Sequence, residues 1–239
     1  MFKIATYNVG CSLLTPAILA WARGSLVDVL LLQEVEVENK TAEYIKHLAG
    51  EYGYYVAYEP SRTAGTYRSH GLAILSRFPI HSTQVLELPQ FNLGFHTRRR
   101  IALVAELQTP QGVFRACDVH LDSRLNITER LYQLAVLSNY AKNHPTQEVI
   151  IGGDFNTIPL ALWKNIIPFK YVNQYKILAE YMIEQGFTSF FDKTIYSFRP
   201  RTLRWSLDGI YVRNLVIQDY GVERVLSMSD HIPLWVDIV

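Results

Sequence analysis

The segment Ile150-Ile151-Gly152-Gly153-Asp154-Phe155-Asn156 lifts an aspartate and an asparagine off the end of an apolar run. Side chains of complementary types end other strand-like segments. They are Asn8 in Ala5-Thr6-Tyr7-Asn8, Glu34 in Leu32-Gln33-Glu34, His120 after Val119, Asp208 in Leu207-Asp208-Gly209, and the pair Asp230-His231. Carboxylates, amides and imidazoles gathered in this way can bind a hard cation, activate water and stabilise charge on a phosphoryl oxygen. Hydrolysis of a phosphodiester needs all three, because the anion repels nucleophiles and the alkoxide leaves poorly.

Each residue has an expected part in that chemistry and an ordinary alternative. Glu34 ends a buried apolar run, where a carboxylate is costly unless it is paired or ligates a metal. It is the expected main ligand, although a carboxylate leaving a strand for solvent has the same sequence. Asn8 can offer an amide oxygen to a metal or a donor to phosphate; it also reads as a turn residue before Gly10. Asp154 and Asn156 are two apart, so on an extended backbone they point the same way. Asp154 is the expected base for water, with Asn156 holding it, the metal or the phosphate; an Asx turn fits the same residues. Asp208 is expected to orient His231 and favour its charged form, with Asp230 adding to the metal site. His120 can donate to a phosphoryl oxygen, or be a plain surface or core histidine.

These residues have to be carried by strands. Residues 2–9 alternate as a first strand, and Asp28 to Gln33 is continuously apolar, as in a strand covered on both faces. Further strands are expected at 54–58, 71–76, 101–107, 113–119, 148–152, 207–212, 215–225 and 232–238. Thr15-Pro16 starts a helix to about Arg23, another spans about 40–51, and Asn126 with Glu129 forms a capping box before a third. The stretch 158–194 reads as mainly helical. Strands alternating with helices, with hairpins among them, suggest a mixed sheet or two packed sheets with helices outside. Residues 1–239 form one expected domain.

Composition narrows the function. The chain has 239 residues, with 23 basic and 22 acidic side chains. A protein that lives on long duplex DNA usually carries a stronger basic excess. The 2 cysteines, Cys11 and Cys117, make no disulfide framework and lack metal-ligand spacing. Without a signal-peptide pattern or an apolar run near the ~18 residues of a membrane span, a cytoplasmic protein is expected, and secretion without a signal stays open.

In sequence order, Thr6-Tyr7-Asn8, Leu32-Gln33-Glu34, Gly71-Leu72-Ala73-Ile74-Leu75-Ser76-Arg77, Val119-His120-Leu121, Gly153-Asp154-Phe155-Asn156, Leu207-Asp208-Gly209-Ile210 and Ser229-Asp230-His231-Ile232-Pro233 resemble the blocks of the endonuclease/exonuclease/phosphatase superfamily, the DNase I-like fold. The resemblance covers essentially the whole chain. It implies a four-layer α/β sandwich, two mixed sheets packed face to face with helices outside. It also implies phosphoester hydrolysis with Mg²⁺ or Mn²⁺. Glu34 would bind metal with Asn8 and Asp230 nearby. Asp154 would activate water with help from Asn156, and His231, paired with Asp208, would stabilise the transition state with His120.

Family substrates range over DNA, RNA, inositol phosphates, sphingomyelin and tyrosyl-DNA adducts. The abasic-site endonuclease branch usually has tyrosine where this chain has His120. His120-Leu121-Asp122-Ser123 with Glu129-Arg130 and Gln133 looks closer to the tyrosyl-DNA phosphodiesterase or sphingomyelinase side. Arg99 sits in one basic cluster; Arg199, Arg201, Arg204 and Trp205 form another that leads into Asp208. Arginine forks suit phosphate and Trp205 can stack on a base, so nucleic acid is the expected substrate class. A phospholipid or sugar-phosphate substrate and a silent binding module are the alternatives, and a monomer is the expected state.

Overall fold

The computed structural model describes residues 1–36, 42–61, 70–92, 99–144, 148–163, 167–189, 195–199, 203–223 and 228–239. In chain order the first half runs β1 (Phe2–Leu13), α1 (Pro16–Gly24), β2 (Val29–Glu36), α2 (Ala42–Glu51), β3 (Tyr55–Ser61), β4 (His70–Ser76), β5 (Ile80–Glu87), β6 (Ile101–Thr109) and β7 (Gly112–His120). It continues with α3 (Ile127–Lys142), β8 (Glu148–Asp154), β9 (Leu160–Trp163), β10 (Ile167–Tyr171), α4 (Gln174–Glu184), β11 (Asp208–Arg213), β12 (Ile217–Val222) and β13 (Leu234–Ile238).

One sheet has the order β12-β13-β1-β2-β4-β3 and the other β11-β8-β7-β6-β5. Both are mixed: β1 and β2 are parallel, as are β7 and β8, and the remaining pairs are antiparallel. The run Val29-Leu30-Leu31-Leu32 explains how four layers arise. Val29 and Leu31 join Ile4, Leu103, Ala116, Ile150 and Ile210 between the sheets. Leu30 and Leu32 point the other way, against Ile18, Leu19, Ile45 and Leu48 of α1 and α2. On the second sheet Cys117, Val119 and Ile151 face Leu134 and Leu137 of α3 and Leu178 and Met182 of α4. A continuously apolar strand is thus a strand with a core on each side.

Strand alternation carries the site. Ile4, Ala116, Ile150 and Ile210 face the sheet interface, so at a period of two Asn8, His120, Asp154 and Asp208 fall on the same inner faces at one end of the sandwich. Register aligns three of them: His120 is opposite Asp154, and Asp154 is opposite Asp208. Gly152 lets the sheets approach, since a Cβ there would meet Leu31 Cδ1 at 2.6 Å. Gly153 has φ +148 and a Cβ on it would lie 1.9 Å from Val119 O, so the turn into Asp154 requires glycine.

Two expectations need correcting. The stretch 158–194 begins not with helix but with the β9–β10 hairpin; among its described residues only α4 is helical. Every residue of β10 is exposed, so its alternating Ile167, Phe169 and Tyr171 fill no core and give no helical stripe. Strand β5 was not anticipated either; it is an edge strand whose middle residues are exposed, which leaves little hydrophobic pattern to read. The caps do follow the sequence: Thr15 accepts from the Ile18 N–H, and Asn126 with Glu129 forms the capping box of α3. Among the described residues no helix is long and apolar enough to cross a membrane.

Candidate active site

At the inner-face end of the sandwich lies a cavity of about 220 Å³. Its walls include Asn8, Glu34, His120, Asp154, Asn156, Asp230 and His231. The structure therefore brings together seven of the eight residues expected to act on phosphate or metal, and the eighth, Asp208, stands directly behind His231.

Asp154 is the centre. It is 1% exposed. Its Oδ2 accepts from Asn8 Nδ2 at 2.9 Å, and its Oδ1 accepts from the Asn156 N–H at 2.8 Å. These two bonds fix the carboxylate plane. The same Oδ2 faces His120 Nε2 at 3.5 Å and His231 Nε2 at 3.8 Å. Both separations exceed an ordinary hydrogen bond. Burial raises the Asp154 pKa above the ordinary carboxylate range, and the charge of His231 works against that rise.

His231 Nδ1 pairs with Asp208 Oδ2 at 2.8 Å. Burial alone would lower the imidazole pKa; the carboxylates of Asp208 and Asp154 outweigh it and hold the ring cationic above its usual range. The Asp208 N–H donates to Ser197 Oγ at 3.0 Å, and the Phe198 ring meets His231 edge-on at 5.0 Å. The Asp208 backbone and the His231 ring are thus both held by neighbours of the same segment, Ser197 and Phe198.

Glu34 arrives by a different device. Between Leu32 and Val35 the β2–β4 register shifts, and Glu34 has φ +58. The bulge turns its carboxylate toward the cavity. Cys11 Sγ donates to Glu34 Oε2 at 2.8 Å, and His120 Nε2 is 3.8 Å from Oε1. Cys11 (φ +55) and Asn156 (φ +51) are also left-handed. Such positions cost roughly 1–3 kcal/mol each and gather where a site demands them.

The structure alters several expected details. Asn156 is not extended: its side chain donates to Leu121 O at 2.9 Å, and it holds Asp154 through its backbone N–H instead. Asn8 presents its N–H to Asp154, while its Oδ1 accepts from the Gly10 N–H at 3.0 Å. Arg99 is directed elsewhere. Its guanidinium bonds Glu87 and the Pro60 carbonyl and lies 3.8 Å from Glu59, and its neighbour Arg100 lines the cavity. Trp205 lines the cavity and stacks on Phe198 at 5.7 Å. Arg204 is exposed and packs over the Tyr196 ring; the Arg199 side chain is exposed, while its N–H donates to Asp230 O at 2.8 Å. Arg201 lies outside the described residues. The sequence reading did not single out Phe198 or Cys11. Phe198 immediately precedes the noted basic segment, and the only signal for Cys11 was its place three residues after Asn8.

Two donor sets could hold a cation. Asp154, Asp208 and His231 offer ligand atoms within 4.8 Å of one another. In that set, however, Asp208 is 3% exposed and lies behind His231 rather than on the cavity wall. Glu34 and Asp230 bring carboxylate oxygens to the cavity wall, the chemistry that Mg²⁺ or Mn²⁺ prefers, and Asn8 adds an amide oxygen that already accepts from the Gly10 N–H.

Comparison with known proteins follows the same lines. The family described as Endonuclease/Exonuclease/phosphatase matches residues 5–231. Among curated proteins none matches by sequence. Among solved structures, an endonuclease/exonuclease/phosphatase family protein from Leptotrichia buccalis superposes at TM-score 0.74 with 17% identity, over 100% of both chains. A 3′ phosphatase, NExo, from Neisseria bound to product DNA hairpin gives 0.69 and 18% over 100% of both chains. An AP endonuclease from Archaeoglobus fulgidus gives 0.69 and 20% over 99% of each chain. At those identities the likeness is one of fold.

Proposed function

Because the chain belongs to the endonuclease/exonuclease/phosphatase family, whose members are phosphoester hydrolases, we propose that it is a divalent-metal-dependent phosphodiesterase acting on nucleic acid. The observation that carries this reading is Asp154 Oδ2, fixed by Asn8 and facing two imidazoles at 3.5 and 3.8 Å across a cavity that Glu34 also lines.

Asp154 orients water and takes its proton. Burial makes it a stronger base than an exposed aspartate. His231, kept cationic by Asp208, stabilises charge on the phosphoryl oxygens. His120 donates to the same oxygens, and Arg100 adds a fixed positive charge on the wall. Glu34, with Asn8 and Asp230, would hold Mg²⁺ or Mn²⁺, which supplies further positive charge to the phosphate. Replacing Glu34 by glutamine is expected to weaken Mg²⁺ binding while the melting temperature holds; unchanged affinity by titration calorimetry would remove the ligand assignment.

Nucleic acid is favoured by the Trp205–Phe198 stack beside His231. Stacking a base is worth about 1–3 kcal/mol. Trp205→Ala is therefore expected to raise KM for oligonucleotides about tenfold while kcat for bis-p-nitrophenyl phosphate stays unchanged. Equal loss on both substrates would mean that Trp205 only supports the site. A phospholipid substrate is the second reading, favoured by the exposed Ile167, Phe169 and Tyr171 of β10. Hydrolysis of single- and double-stranded DNA, RNA, a tyrosyl-DNA end and sphingomyelin with Mg²⁺, Mn²⁺ or EDTA, against His231→Ala, separates the two. Sphingomyelin preference would overturn the nucleic-acid reading, and cleavage unaffected by EDTA would overturn metal dependence.

A further inference from the structure

Beneath the site one carboxyl group crosses from sheet to sheet. Asp118 lies on the inner face of β7, two residues before His120, and is fully buried. Its Oδ1 accepts from Gln33 Nε2 at 2.6 Å. Gln33 immediately precedes Glu34, inside the β2 bulge. The N–H of Ala73, on β4 beside that bulge, also acts on the Asp118 carboxyl, so the group touches three strands. Two buried oxygens here have no hydrogen-bond partner, Gln33 Oε1 and Asp118 Oδ2. A carboxyl that carries a proton can donate to an amide oxygen while accepting from the amide N–H. A protonated Asp118 carboxyl supplies a donor where these two acceptors have none. Burial favours that neutral form, raising the Asp118 pKa well above its ordinary value against the hydrogen bonds it accepts.

An apolar pair would fill this interface without the cost of burying polar atoms. The position of the pair suggests what offsets that cost. A bulge is the weak point of a ladder, and this one aims a side chain at the cavity. We infer that Asp118, paired with Gln33, is a positioning residue that holds the β2 bulge and so sets Glu34 against Asp154 across the two sheets. The inference rests on the reading of Glu34 as metal ligand. Groups that orient a metal ligand typically change affinity about 10–100-fold when removed.

The test is Mg²⁺ affinity by calorimetry in the wild type, Glu34→Gln, Asp118→Leu and Asp118→Asn, with thermal melts to establish folding. Asp118→Leu should bind Mg²⁺ about tenfold or more weakly. Asp118→Asn offers Gln33 the same acceptor and an N–H in place of the acid proton, and should stay within about twofold of wild type. Wild-type affinity in folded Asp118→Leu, with Glu34→Gln weakened, overturns the inference alone. So does a tenfold loss in Asp118→Asn, which decides the matter if the leucine variant does not fold. Unchanged affinity in Glu34→Gln overturns the ligand assignment and the inference with it.

Discussion

Replacing Asp154 by asparagine should cut kcat by about 10²-fold or more, the usual contribution of a general base, without unfolding the protein. Asparagine keeps the shape and one of the two accepted hydrogen bonds. The other contact, with Asn8 Nδ2 or the Asn156 N–H, becomes donor against donor and costs about 1–3 kcal/mol. Against this, the substitution removes a charge that burial already disfavours. The two effects oppose each other, so the melting temperature should move little in either direction. The check is kcat on bis-p-nitrophenyl phosphate alongside a melt. Retention of more than about a tenth of wild-type kcat would take the role of base away from Asp154.

His231→Ala should lose activity and stability together. On the proposed mechanism it removes the cation that would face the phosphate, worth about 10²-fold or more in turnover. It also strands Asp208, which is 3% exposed and whose Oδ1 already lacks a partner. Breaking a buried pair from one side costs about 3–5 kcal/mol, mainly through the charge left behind. The double variant Asp208→Ala/His231→Ala should therefore recover much of the stability and none of the activity. If the double variant is less stable than His231→Ala, the buried-charge account fails. The pair also has a pH signature in the metal-free protein. Its contribution to stability is complete below the ordinary imidazole pKa of about 6.5 and fades as pH rises through the higher folded value. The melting-temperature gap between wild type and His231→Ala should narrow toward alkaline pH. Asp208→Asn should return the His231 pKa toward its ordinary value, as read by imidazole NMR.

How much of this was legible depended on whether a residue obeyed the alternation of its strand. Asn8, His120, Asp154 and Asp208 follow it, so strand ends and side-chain type were enough to gather them. Glu34 and Asn156 break it, with φ of +58 and +51. No local sequence pattern announces a left-handed glutamate, and the reading of Asn156 as extended failed for that reason. Arg99 and Arg100 show the cost of a single step. On a strand entrance adjacent residues face opposite ways, and only pairing with Glu87 and Glu59 reveals which arginine is engaged elsewhere. Strand β10 was misread because an unburied strand has no core to impose a pattern.

The pairing of β1 with β13 has a consequence for the timing of synthesis. His231 and β13 are translated more than two hundred residues after Asn8, and β13 sits between β12 and β1 rather than at a sheet edge. A nascent chain that has not yet reached them exposes the flank of β1 as an open ladder. It already holds His120 and Asp154, but not His231. On the mechanism proposed above, competence would then arrive in one late step, with the strand that closes the sheet.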